Sequence, residues 1–126
     1  MTNNNNNKTL LGAQGEQIAE TFLLQHGYKI IQKNWRFKHK EIDIIAQKEG
    51  KIVFIEVKTR SNEYFEPPSS AVTLKKQRLL IEAANFYLIS KKIEMEARFD
   101  VVSIIKNNYT EKIELIENAF YPSIAR

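Results

Sequence analysis

The chain has 126 residues, one domain's worth, and 43% of them are apolar, including seven Phe, five Tyr and one Trp, enough for a genuine core. Cysteine is absent, which excludes disulfides, thiolate zinc sites and cysteine nucleophiles, and no apolar run approaches the ~20 residues of a membrane span. Nineteen Lys and Arg against fifteen Asp and Glu leave a net charge of +4, a modest bias towards polyanions. The N-terminal segment lacks the charged-then-apolar order of a signal peptide, so the expectation is a soluble cytoplasmic domain.

Residues 1–8 contain five consecutive asparagines and almost nothing apolar, and are expected to form a disordered tail ahead of a single domain over 9–126. The spacing of Leu11, Ile18, Ala19, Phe22 and Leu23 predicts a helix from about Leu10 to His26, with Gly27 at its C-terminal cap. Gly12 and Gly15 weaken its first turn. A strand-like pattern follows from Tyr28 to Phe37. Glu41–Ala46 and Ile52–Lys58 are richer in β-branched residues, and the Lys48-Glu49-Gly50-Lys51 loop between them reads as a hairpin. Glu66-Pro67-Pro68-Ser69-Ser70 reads as a loop, with Ser69 or Ser70 capping a long helix that ends near Lys91-Lys92. Leu74, Ile81, Ala84 and Leu88 mark its buried face. Arg98–Ile105 reads as a buried strand and Lys112–Ile116 as the last strand. The order α-β-β-β-α-β-β points to an α/β fold with a mixed sheet flanked by helices.

The hairpin carries the chemistry. Residues two apart on a strand share a face, which pairs Glu41 with Asp43 and Glu56 with Lys58. A two-residue Glu49-Gly50 turn would set Asp43 opposite Glu56 and Glu41 opposite Lys58. Three carboxylates and one ammonium would then occupy one patch. Opposed carboxylates destabilise a sheet unless a pKa shifts or a cation binds. Oxygen ligands suit a hard ion such as Mg²⁺, and a nearby lysine suits phosphodiester chemistry. The plainer alternative is a solvated strand face on which Glu41–Lys58 is a cross-strand ion pair. Phe54 and Ile52 on the same face argue for partial cover.

Trp35-Arg36-Phe37-Lys38-His39-Lys40 interleaves basic and aromatic residues. On one strand Arg36, Lys38 and Lys40 would share a face able to track phosphates; equally, Trp35 and Phe37 would pack inward below solvated cations. Arg60, Lys75, Lys76 and Arg78 extend either a basic rim or a merely soluble surface. His26 and His39 are isolated, and Asp100 reads as a structural partner of Arg98.

Several of these segments together resemble a known family. Gly15-Glu16 with Ala19, Asn34 and Arg36, Glu41-Ile42-Asp43-Ile44-Ile45-Ala46, and Phe54-Ile55-Glu56-Val57-Lys58-Thr59-Arg60 are similar to motifs of the YraN-type family of predicted endonucleases. Ala71-Val72-Thr73, Lys76-Gln77, Arg98-Phe99-Asp100-Val101-Val102 and Asn118-Ala119-Phe120 continue the resemblance, which spans about residues 10–120. It implies the PD-(D/E)xK nuclease superfamily, near archaeal Holliday-junction resolvases. The fold implied is a restriction-endonuclease-like α-β-β-β-α-β core, and the activity is Mg²⁺- or Mn²⁺-dependent cleavage of DNA, branched or flapped. By the same resemblance Asp43, Glu56 and Glu16 are metal ligands, Lys58 stands beside the attacking water, and Gln77 points to the site. Arg36, Lys38, Lys40, Arg60 and Lys76 are the expected DNA contacts, and a resolvase-like task favours a homodimer. The chain departs from the family at Lys40, where Gly is usual. A non-catalytic DNA-binding module and a protein-interaction subunit are the alternatives on the same fold.

Overall fold

In the computed structural model, which describes residues 9–62 and 72–121, α1 spans Leu10–Gln25, β1 Lys29–Phe37, β2 Lys40–Lys48 and β3 Lys51–Arg60. They are followed by α2 over Leu74–Ser90, β4 over Ala97–Lys106 and β5 over Glu111–Phe120. The Asn-rich segment and the Glu66–Ser70 loop, with the capping role expected of Ser69 or Ser70, lie outside the described residues. Thr73 caps α2: its side chain accepts a hydrogen bond from the Lys76 amide. Thr9 caps α1 in the same way through Gly12.

The five strands form one mixed sheet in the order β1-β2-β3-β4-β5. Among the described strands only β3 and β4 pair in parallel, which requires a crossover between them, and α2 lies in that connection. The expected α-β-β-β-α-β core is present with one further antiparallel strand. Glu49 and Gly50 both have positive φ, 53° and 80°, the requirement of a tight hairpin turn, and they set Ile44 opposite Ile55 and Lys48 opposite Lys51.

Alternation along the strands divides the core into two layers. One face, with Ile44, Val53, Ile55 and Val102, packs under Ala19 and Leu23 of α1. The other, with Ile45, Ile52, Phe54 and Phe99, packs under Leu80, Ile81, Ala84 and Tyr87 of α2. Trp35 and Phe37 join this second layer, so the inward-packing reading of the aromatic run is the observed one. Leu74, expected on the buried face of α2, is exposed, because the helix begins there and its first turn lies beyond the sheet.

Asp100 is fully buried, yet its oxygens are satisfied. Arg98 Nε and Nη2 donate to it at 3.0 and 2.9 Å, Tyr28 Oη at 2.8 Å and the Asn118 amide at 2.9 Å. These bonds tie the start of β1 to β4 and to the irregular register of β5, as the structural reading of Asp100 expected. Burial and Asp100 together raise the Tyr28 hydroxyl above its ordinary range, keeping it a donor. Removing the arginine leaves a buried carboxylate without its counter-charge. Arg98→Met is therefore expected to cost about 3–5 kcal/mol, read by urea unfolding.

Candidate metal centre

Strand β2 loses one of its two partners part-way along. Its ladder to β1 runs on through Ile42, Glu41 and Lys40, but its ladder to β3 ends at Ile44–Ile55. Alternation breaks at the same place: Ile44 packs with the α1 layer, whereas Ile42 joins Ile45 in the α2 layer. The irregular residue between them is Asp43. Its Oδ2 accepts a hydrogen bond from the Val57 amide at 2.8 Å, bridging the gap where the two strands part. The expected pairing of Glu41 with Lys58 does not form, because the strands have separated before reaching it; Glu41 lies 3.8 Å from Arg36 instead.

Glu16 reaches the opening from α1. That helix approaches β3 closely at Gly15, where an added Cβ would fall 1.8 Å from Thr59 Oγ1 and 2.9 Å from Thr59 Cβ. Gly15→Ala must push α1 off the sheet and carry Glu16 with it. The expected result is a loss of about 1–3 kcal/mol in stability together with weakened metal binding, read by unfolding and by titration. Asn34, in the left-handed region at φ 53°, turns its amide to Glu16 and donates to it at 3.0 Å.

One carboxylate oxygen from each of Glu16, Glu41 and Asp43 lies within 4.8 Å of the other two, and this group could hold a metal ion. Burial pushes Asp43 from an ordinary 3.8 up to about 7; the Glu56 and Glu16 carboxylates add to the rise, while the Val57 amide and Lys40 oppose it. Oxygen donors crowded at this spacing suit a hard divalent cation, whose charge would remove the repulsion. Glu41, absent from the expected ligand set, was signalled by sharing a face with Asp43.

Glu56 lines the same cavity of about 400 Å³ but is engaged differently. Lys40 Nζ stands 3.5 Å and Lys76 Nζ 3.1 Å from its two oxygens. Lys58 also lines the cavity and makes no ion pair with a described residue. Gln77, expected to point here, does not line the cavity and donates to the Val72 carbonyl at 3.1 Å.

The expected row of cations is not one strand face. The chain turns at Lys38 (φ 57°) and His39, and Lys40 pairs back onto Phe37. Arg36 and Lys40 line the cavity with His39, whereas Lys38 leaves it for Glu82 at 3.2 Å. Arg60 is half-buried and outside the cavity lining, and Lys75 and Arg78 are exposed on α2. The positive φ falls on Lys38, not on Lys40, so the lysine in place of the family's usual glycine needs no unusual backbone and brings an ammonium to Glu56. Among the described residues no helix is long and apolar enough to cross a membrane.

Residues 15–104 match the group described as "Uncharacterised protein family UPF0102". A UPF0102 protein of Flavobacterium psychrophilum is 46% identical over 111 residues, covering 88% of this chain and 93% of its own. Another from Chlorobium phaeobacteroides is 54% identical over 97 residues, 76% of either chain. Among solved structures, Pyrococcus furiosus SfsA in complex with Ca²⁺ aligns with 86% of this chain at 16% identity and a TM-score of 0.40, and the chain spans 62% of that protein's length.

Proposed function

The chain belongs to the UPF0102 family, and from its site we propose that it is a divalent-metal-dependent endonuclease that hydrolyses DNA phosphodiesters, with branched or flapped DNA as the substrate class. The observation that carries this reading is the carboxylate triad of Glu16, Glu41 and Asp43 within 4.8 Å, set in a cavity beside Lys58.

Glu16, Glu41 and Asp43 would hold the cation, which when bound supplies positive charge against the scissile phosphate and its leaving oxygen. Asp43 is fixed by the Val57 amide, so its free oxygen is aimed before anything binds. Glu56 sits next to the triad and adds a fourth carboxylate to its field. Lys58 lines the cavity, where its ammonium would donate hydrogen bonds that orient water and steady charge on the phosphate oxygens. Lys40 and Lys76, which hold Glu56, and Arg36 at the rim offer the positive surface a DNA backbone requires. The two lysines that neutralise Glu56 also favour a second reading, a DNA-binding module that keeps the fold without turnover.

The two readings separate on labelled duplex, single-stranded, flapped and four-way-junction DNA with Mg²⁺, with Mn²⁺ and with chelator. Metal-dependent cutting by the wild type that is lost with Glu41→Gln is the expected result. Salt-sensitive binding without cutting in either metal would leave the binding module as the function.

A further inference from the structure

A second, smaller cavity of about 120 Å³ lies beside the metal centre, lined by Phe37, Lys38, His39, Lys40, Leu79 and Glu82. His39 and Lys40 line both cavities, so the two adjoin at the β1–β2 turn. The walls are an aromatic ring and an aliphatic side chain. Phe37 is itself backed by Phe86 at 4.8 Å between ring centres and by Trp35 at 6.2 Å. Polar groups of both signs, Lys38 and Glu82, are part of the lining.

The geometry points to a pocket for one unpaired nucleobase of the strand whose backbone occupies the metal centre. This rests on the endonuclease reading and narrows its substrate to DNA with a nucleotide out of the stack at the cleavage site. Three features favour a base over other occupants. The volume is that of a single ring system rather than of a peptide segment. Phe37 offers the π-surface on which any base stacks. The lysines of the turn, Lys38 and Lys40, line this cavity and Lys40 lines the metal-centre cavity as well, so ammonium groups stand ready for a phosphodiester backbone passing from one to the other.

Lys38 Nζ now lies 5.2 Å from the Phe37 ring centre, where a stacking base would come. Among the described residues its one ion pair is with the exposed Glu82, and surface pairs of this kind open at little cost. A base in continuous duplex is paired and stacked and must first be extruded, which selects for bulges, flaps and junctions. Leu79 continues along α2 into the exposed Phe86 and Ile89, so self-association through this helix is the competing use of the surface.

The test is fluorescence-anisotropy binding, with Ca²⁺ replacing Mg²⁺, to three 20-mer duplexes: fully paired, with one unpaired adenine, and with an abasic residue at that place. The wild type is expected to bind the unpaired adenine about tenfold more tightly than either control. Leu79→Ser, at a half-exposed position outside the metal centre, should remove this preference and leave duplex affinity unchanged; Phe37→Leu should do the same. Equal affinity for all three DNAs, with metal-dependent cleavage intact, overturns the pocket and spares the endonuclease. A base preference lost in Leu79→Ser without any cleavage supports the pocket and overturns hydrolysis. No DNA binding overturns both. A dimer broken by Leu79→Ser, with no base preference, assigns the surface to self-association and overturns the pocket.

Discussion

Asp43→Asn is expected to lower metal-dependent DNA cleavage by about 10³-fold or more while raising the thermal stability of the metal-free protein at pH 8. The loss follows from removing the best-fixed ligand of the triad, since metal stabilisation of developing charge is worth several kcal/mol and each ~1.4 kcal/mol is tenfold in rate. The gain follows from the same crowding. In the folded chain Asp43 holds its proton to about pH 7, whereas its ordinary value is 3.8. Between these values the native state binds a proton that the unfolded chain has released, so stability falls as pH rises through the window. Below about pH 4 the favourable contribution is complete, and above about pH 7 it is gone. An amide carries no charge to desolvate and can still accept from the Val57 amide. The variant should therefore melt roughly 5–10 °C above wild type at pH 8 and level with it near pH 4, by calorimetry in chelator. Saturating Mn²⁺ should raise the wild type and leave Asp43→Asn unmoved. A variant that melts lower than wild type at pH 8 would show that Asp43 is a structural carboxylate.

Lys58→Met should reduce cleavage by about 10²–10⁴-fold with little change in stability or metal affinity. Lys58 lines the cavity, and no described residue neutralises it, in contrast to Lys40 and Lys76, which both meet Glu56. Its removal costs no buried ion pair. A loss confined to the maximal rate is the signature of a group that acts on the reacting atoms; a loss confined to affinity would assign it to the backbone contacts. Full activity in the folded variant would remove it from the mechanism.

The hairpin was legible because one dipeptide, Glu49-Gly50, determines both turn and register over five residue pairs. Where the register ends was not legible: nothing in Glu41-Ile42-Asp43-Ile44 announces that β2 parts from β3 at Asp43, since the break is held by a side-chain bond to a residue fourteen positions away. The same limit explains Glu56. Its Lys40 partner stands across the break and Lys76 comes from α2, whose docking depends on the whole core. The tight turn at Lys38-His39 was not legible for a different reason. It uses a lysine at positive φ where Gly, Asn or Asp would have signalled it, so the strands were bounded at Phe37 and Glu41 with no turn identified between them, and a shared face for Arg36, Lys38 and Lys40 stayed open. Glu41 was visible on the face of Asp43, whereas the resemblance named Glu56; which carboxylates gather with Glu16 depends on where β2 and β3 part.

The claim on which the rest depends is that Glu16, Glu41 and Asp43 form one divalent-cation site. Calorimetric titration of Mn²⁺ into the wild type, Asp43→Asn and Glu41→Gln tests it most directly. The expected result is a single saturable site in the wild type, abolished by Asp43→Asn and weakened at least tenfold by Glu41→Gln, with protons released on binding at pH 6.5 as Asp43 ionises. Identical isotherms in all three proteins, or none above buffer in the folded wild type, would contradict the metal centre.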